Sequence, residues 1–180
     1  MKEKIIFLRH GESIGNTWKP AYEDDNINFL SPLGIKQAEI AGILLKRKFN
    51  ISLPASSALT RSRQTLNLIL NEYGNWKQKF IIEPNLNEIV PKGYGLVNEE
   101  SVYEHYDRVV EGFKNIISQW ETGNLLLVTH YHTMNALFRH LKINYNELSL
   151  GDYIPNAVPF IYDIHTNSID MMDMYKSINW

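Results

Sequence analysis

Apolar positions along the chain fall into short continuous runs and longer periodic stretches that alternate with one another. Lys4 to Leu8, with the apolar run Ile5 to Leu8, predicts a first strand and is followed by Arg9-His10. The polar, aperiodic stretch from Gly11 to Phe29 reads as loop. Ser31-Pro32 then has the signature of a helix start, Ser at the cap and Pro at the first helical position. Ala38, Ala41 and Leu45 follow on one face of that helix. Ile51 to Ser56 predicts a weak second strand. Thr60 to Tyr73 predicts a helix with Leu66, Ile69, Leu70 and Tyr73 on one side, and Phe80 to Ile82 a short buried strand. Residues 84–98 carry two prolines and two glycines and read as loop.

The longest periodic stretch runs from Glu99 to Glu121, with Val102, Tyr106, Val109, Phe113, Ile116, Ile117 and Trp120 in one stripe and Gly123 as its stop. Leu125 to Val128 is again a strand-length apolar run. Residues 133–142 predict a helix burying Met134, Leu137, Phe138 and Leu141. Val158 to Ile164 predicts a last strand, and no element is assigned after Asn167. Alternation of this kind predicts an α/β fold: a three-layer α/β/α sandwich around a mainly parallel sheet.

The 180 residues fit one domain spanning 1–180, large enough to bury a core. With 44% hydrophobic and 21% charged residues the composition is that of a soluble globular protein. A net charge of −2 gives no general attraction to nucleic acid or anionic membranes, so any anion affinity must be local. There are no cysteines, which removes disulfides and thiolate metal sites. The apolar run Ile5 to Leu8 is too short for a signal peptide or membrane span, so a cytoplasmic location is expected. Oligomeric state is not legible.

Topology concentrates chemistry at one edge. Arg9-His10 ends the first strand, Thr129-His130 ends a later strand and opens a helix, and Arg61 starts a helix after a strand. Ligands of open α/β sheets bind beyond the carboxyl ends of the strands, where helix N-termini also present backbone N–H groups. Two imidazoles, two guanidinium forks and amide donors are what a phosphate dianion needs.

Five segments then resemble, in order, the motifs of the histidine phosphatase superfamily, which includes the phosphoglycerate mutases. These are Leu8-Arg9-His10-Gly11-Glu12-Ser13 with Asn16, Ser31-Pro32-Leu33-Gly34-Ile35-Lys36-Gln37-Ala38, Ser56 to Thr65 around Arg61, Leu86-Asn87-Glu88, and Leu127-Val128-Thr129-His130. A lone Arg-His-Gly would be a weak signal; five motifs in order over residues 4–142 are a strong one. The resemblance implies a phosphoglycerate mutase-like fold and a phosphoryl-transfer enzyme. It implies that His10 attacks phosphorus and becomes phosphorylated, that Arg9, Arg61 and His130 bind the equatorial oxygens, and that Asn16 adds a hydrogen bond. It further implies that Glu88 protonates the leaving oxygen and then activates water. The cationic side chains take the place of a metal, so neither metal nor other cofactor is implied; the partner is a small phosphorylated substrate.

Each residue also has a plainer reading. His10 alone could cap a strand, Arg61 could be a solvated helix arginine like Arg63 and Arg47, and His130 could be a core histidine. Glu83 and Glu12 compete with Glu88, and Asn16 could serve only a turn. His105, His140 and His165 are read as surface or core residues.

The chain also departs from the family pattern. Most relatives carry two glycines where Tyr131 and His132 stand here, and usually an arginine at Asn135. Tyr131 is thereby a candidate substrate contact or a packing residue. Lys92-Gly93-Tyr94-Gly95 resembles the Tyr-Gly of the mutase branch, placed a few residues later. Trp18, Lys19, Tyr22, Lys92, Tyr94, Tyr131 and His132 are candidates for the rim. The chain is short beside typical phosphoglycerate mutases, which implies a more open pocket. Water access favours a phosphomonoester hydrolase over a mutase. A non-catalytic phosphate-binding domain is the third reading.

Overall fold

A computed structural model describes residues 1–18, 24–74, 76–90, 99–143 and 153–173. Its six strands are β1 (Lys2–Arg9), β2 (Ile51–Ser56), β3 (Ile81–Ile82), β4 (Gly123–Thr129), β5 (Pro159–Asp163) and β6 (Ser168–Met171). Its helices are α1 (Ile14–Thr17), α2 (Pro32–Lys48), α3 (Thr60–Glu72), α4 (Val102–Gln119) and α5 (Tyr131–His140), with a 3-10 turn at Pro84–Leu86. The strands form one sheet in the order β3-β2-β4-β1-β5-β6. The first four are mutually parallel, and β5 and β6 are antiparallel additions at one side.

The central strand β1 shows why the chain layers as it does. Successive side chains point to opposite faces of a strand. Ile5 and Phe7 join the core under α4 and α5, with Val109, Phe113, Ile116, Leu137 and Phe138. Ile6 and Leu8 join the core under α2 and α3, with Ala41, Leu44, Leu45, Leu66 and Ile69. Strand β4 divides the same way, Leu125 and Leu127 to one side, Leu126 and Val128 to the other. A strand apolar on both faces must be covered twice, which is the three-layer sandwich expected from sequence.

The helix ends follow their sequence signals. The Ser31 hydroxyl accepts from Gly34 N at 3.0 Å, capping α2. Ser101 and Glu104 cap α4 reciprocally.

Several boundaries and faces differ from the sequence reading. Val102 is 67% exposed, because α4 begins there and its first turn projects beyond the core. Phe80 and Ile82 are exposed because β3 is an edge strand of two residues rather than a buried one. Gly123 does not stop α4, which ends at Gln119 with Trp120 as its cap; it opens β4 at a φ of +67°. Strand β6 lies where no element was assigned, and α1 interrupts the loop expected over 11–29. The rim candidates Lys19, Tyr22, Lys92 and Tyr94 lie outside the described residues. No described helix is long and apolar enough to cross a membrane.

Candidate active site

The carboxyl ends of β1, β4 and β2 lie side by side, and the chain leaving each one supplies part of a pocket. His10 N donates to Thr129 O at 2.9 Å, carrying the β1–β4 ladder one residue past Arg9. Ser57 N donates to Val128 O at 3.1 Å, doing the same between β2 and β4. Beyond His10 the backbone passes between α2 and α3. Gly11 N donates to the Thr65 hydroxyl at 3.0 Å. A Cβ at Gly11 would meet Gly34 O at 2.4 Å, so only glycine permits this approach. The Asn156 side chain donates to His10 O at 2.8 Å.

Arg9, His10, Asn16, Arg61, Glu88, Tyr131, His132 and Tyr153 line a pocket of about 510 Å³. His130 lies beneath it, its ring centroid 5.1 Å from that of His10. The two histidines and two arginines singled out in the sequence therefore meet, although they are as far apart as Arg9 and His130 in the chain.

The His10 ring is fixed in one protonation state. Its Nδ1 is 2.7 Å from Gly11 O, and its Nε2 is 3.2 Å from Arg61 Nε. A carbonyl oxygen only accepts and a guanidinium only donates. Nδ1 therefore carries the proton, and Nε2 offers its lone pair. Burial holds this imidazole well below its ordinary pKa, the Arg61 charge adds to that, the Gly11 hydrogen bond opposes it, and Arg9 lowers it further. His10 is thus a neutral, oriented imidazole, the form that can attack phosphorus.

His130 is equally constrained. Its Nε2 lies 2.7 Å from Ser57 Oγ and 3.3 Å from Ser62 Oγ. Its Nδ1 is buried and has no hydrogen-bond partner among the described residues. Burial first, then the charge of Arg61 and that of Arg9, holds its pKa well below the usual imidazole range, so it is neutral.

The arginines are anchored from behind. Arg61 is buried on the first turn of α3, its Nη1 3.8 Å from Asp25 Oδ1. Asp25 also accepts from Thr60 N at 2.9 Å and from the Thr60 hydroxyl at 2.8 Å, capping the helix that presents Arg61. Arg9 Nη1 donates to Ile154 O at 2.9 Å, and its guanidinium stands 5.7 Å from the Tyr131 ring centroid. Tyr131 thus packs on Arg9. Asn16 accepts through Oδ1 from Ser13 N at 3.0 Å, so its amide nitrogen is the group that can donate. Asn135 has a buried Oδ1 with no hydrogen-bond partner among the described residues.

Glu88 follows the 3-10 turn on a segment held from four sides. Leu86 O accepts from the Thr129 hydroxyl, and Asn87 O from the Thr133 hydroxyl. Asn87 Oδ1 accepts from Ala58 N, and Arg108 Nη1 donates to Asn85 O and Asn87 O. Arg108 is itself paired with Glu100, which also meets His105 at 3.1 Å, placing His105 in a buried charged network behind the site. The Glu88 carboxylate accepts from Ile89 N at 3.0 Å and His132 N at 3.3 Å, and His132 Nδ1 lies 3.5 Å from its Oε1. Burial acts to raise the Glu88 pKa, but the His132 hydrogen bond and charge and the Ile89 N–H outweigh it, and the net shift is downward.

Among the described residues no group of three or more His, Asp or Glu side chains could hold a metal ion. Sequence reasoning missed Asp25, Asn156 and the pairing of Ser57 and Ser62 with His130. All four are ordinary polar residues whose partners are distant in the chain. Only the serines lay inside a quoted motif.

The family profile of the histidine phosphatase superfamily (branch 1) matches residues 5–94 and 90–158. The chain belongs to this superfamily. Among curated histidine phosphatase relatives, the 2,3-bisphosphoglycerate-dependent phosphoglycerate mutase of Borrelia garinii subsp. bavariensis is 39% identical, over 89% of this chain and 86% of its own. That of Bacteroides fragilis is 25% identical over the same shares. Solved structures agree in fold. A phosphoglycerate mutase from Bacillus anthracis superposes with a TM-score of 0.71 at 19% identity, covering 97% of this chain and 94% of its own. A mycobacterial glucosyl-3-phosphoglycerate phosphatase does so with a TM-score of 0.69 at 20% identity, covering 94% and 96%.

Proposed function

We propose that this protein hydrolyses phosphomonoesters of small metabolites through a phosphohistidine on His10 Nε2. The observation that carries the reading is the double constraint on His10, with Nδ1–H on the Gly11 carbonyl and the Nε2 lone pair turned to Arg61. In the first half-reaction Nε2 attacks phosphorus, the P–O bond to the leaving group breaks, and the leaving oxygen takes a proton delivered through Glu88, which is left ionised. Arg61 and Arg9 meet the equatorial oxygens as charge spreads over them. His130, with Nε2 accepting from Ser57, donates to them through Nδ1–H, and the Asn16 amide adds a donor at the edge. In the second half-reaction Glu88, held ionised, takes a proton from water as the water oxygen attacks phosphorus and the N–P bond breaks. Two guanidiniums supply the charge that a metal supplies in other phosphatases, so activity is independent of added metal.

Hydrolysis is favoured over transfer to a second acceptor because the pocket is open to water: Asn16, His132 and Tyr153 at its rim are all exposed. The test is release of phosphate from p-nitrophenyl phosphate in the presence of a chelator. Release is expected from the wild type and not from His10→Ala; equal release from both rejects the reading.

The names of the curated relatives favour a second reading, a phosphoglycerate mutase. It requires interconversion of 2- and 3-phosphoglycerate stimulated by the bisphosphate, with little net phosphate release. Net release without interconversion decides for the hydrolase.

A further inference from the structure

Glu88 as an ionised carboxylate suits the second half-reaction, but in the first it holds no proton of its own to deliver to the leaving oxygen. The missing proton has a holder close by. His132 Nδ1 is 3.5 Å from Glu88 Oε1, and its own backbone N–H fixes Glu88 Oε2 at 3.3 Å. The Glu88 side chain is 8% exposed and that of His132 53%, so the imidazole spans from the carboxylate to solvent, and both line the pocket floored by His10. On this basis, and resting on the proposed hydrolase reading, we infer that Glu88 and His132 form a proton-holding pair in which His132 is the reservoir for the proton given to the leaving group.

The step balances. As His10 Nε2 bonds to phosphorus and the ester P–O bond breaks, Glu88 gives a proton to the leaving oxygen and receives one from His132 Nδ1. When water attacks the phosphohistidine, its proton passes to Glu88 and back to His132 Nδ1, and the pair is restored. His132 is a positioning and relay residue that acts through Glu88. The groups facing the pair are Arg9 from the end of β1, Tyr131 with its ring edge-on to His132 at 4.9 Å, and His105 from α4. The hydrogen bond to Glu88 raises the His132 pKa against the effect of burial, so the pair keeps its proton above the ordinary imidazole range.

The experiment compares kcat/KM for phenyl phosphate, whose leaving group needs a proton, with p-nitrophenyl phosphate, whose leaving group does not. The proteins are wild type, His132→Asn and His132→Ala. Asparagine can occupy the place of the Nδ1 donor but does not titrate. Both variants are expected to raise the ratio of p-nitrophenyl to phenyl phosphate kcat/KM about 100-fold, the size of a lost general-acid contribution. The alkaline limb of the phenyl phosphate profile is expected to move to lower pH in His132→Asn. An unchanged ratio in either variant overturns the inference, as does restoration of the wild-type ratio and profile by asparagine, which would make the role only structural. Absence of turnover by wild type, or turnover retained in His10→Ala, rejects the hydrolase reading itself and the inference with it.

Discussion

Arg61 Nε and His10 Nε2 face each other at 3.2 Å in the floor of the pocket, a guanidinium aimed at the lone pair of a buried, neutral imidazole. The contact has two consequences. It keeps the His10 proton on Nδ1, and it places a guanidinium one hydrogen bond from the atom proposed to attack phosphorus. Replacing Arg61 with glutamine removes both. kcat/KM for an aryl phosphate is expected to fall about 100- to 1000-fold, as for loss of one transition-state donor. Because Arg61 is one of the causes lowering the His10 pKa, the acid limb of the residual activity is expected to move to higher pH. A pH–rate profile of Arg61→Gln checks both effects.

Asp25 supports Arg61 in two ways, as the cap of α3 and as the carboxylate 3.8 Å from its Nη1. Asp25→Ala is expected to cost about 1 kcal/mol of stability, as for a lost helix cap, and to lower kcat/KM by roughly tenfold through misplacement of Arg61. Denaturant unfolding and steady-state kinetics on the same preparation separate the two. A stability loss with unchanged kcat/KM would leave Asp25 a cap and nothing more.

The turn after β1 depends on two glycines packed against backbone. A Cβ at Gly34 would lie 1.9 Å from Glu12 O, closer than any relaxation of a side chain can relieve. Gly34→Ala is expected to destabilise the fold by about 1–3 kcal/mol and to displace the Gly11 carbonyl that orients His10. Thermal unfolding should report the first effect, and loss of activity at temperatures where the variant is folded the second.

Three buried histidines, His10, His130 and His105, have pKa values lowered by burial first and by neighbouring charges second. Each is neutral in the folded protein and takes up a proton on unfolding below its ordinary value of 6.5. The unfolded state therefore binds more protons, and stability contributed by these groups is present above pH 6.5 and lost as pH falls toward their folded values. His132 acts in the opposite sense, since its pKa is raised, but it is one half-exposed group against three buried ones. The melting temperature is expected to fall between about pH 7 and pH 5, and the fall should be shallower in His130→Gln.

The fold and the centre of the site were legible because their signals are local. Strands β1 and β4 are continuous apolar runs, and a strand buried on both faces needs no distant information to be recognised. Arg9, His10 and His130 could be placed because they sit directly at the ends of those runs, and Arg61 because it opens a helix after a third. What escaped depends on tertiary contact. Strand β6 exists because Ser168–Met171 pairs with β5, its alternating residues half exposed and carrying little periodic signal of their own. Asp25 lies in a polar stretch and acquires meaning only from Thr60 and Arg61. Val102 fits the helical period but projects past the sheet, and Ile82 fits an apolar run but falls on the sheet's edge. Tyr131 and His132 stood out in the sequence as departures, but only the geometry shows one packed on Arg9 and the other set against Glu88.

Phosphorylation of His10 is tested by quenching the protein during turnover of p-nitrophenyl phosphate and locating the covalently bound phosphate by peptide mass spectrometry under alkaline conditions, where phosphohistidine survives. An acid-labile phosphate is expected on His10 and is expected to be absent in His10→Ala. Phosphate on any other side chain, or steady turnover by a protein that never carries it on His10, would contradict the proposed role of His10.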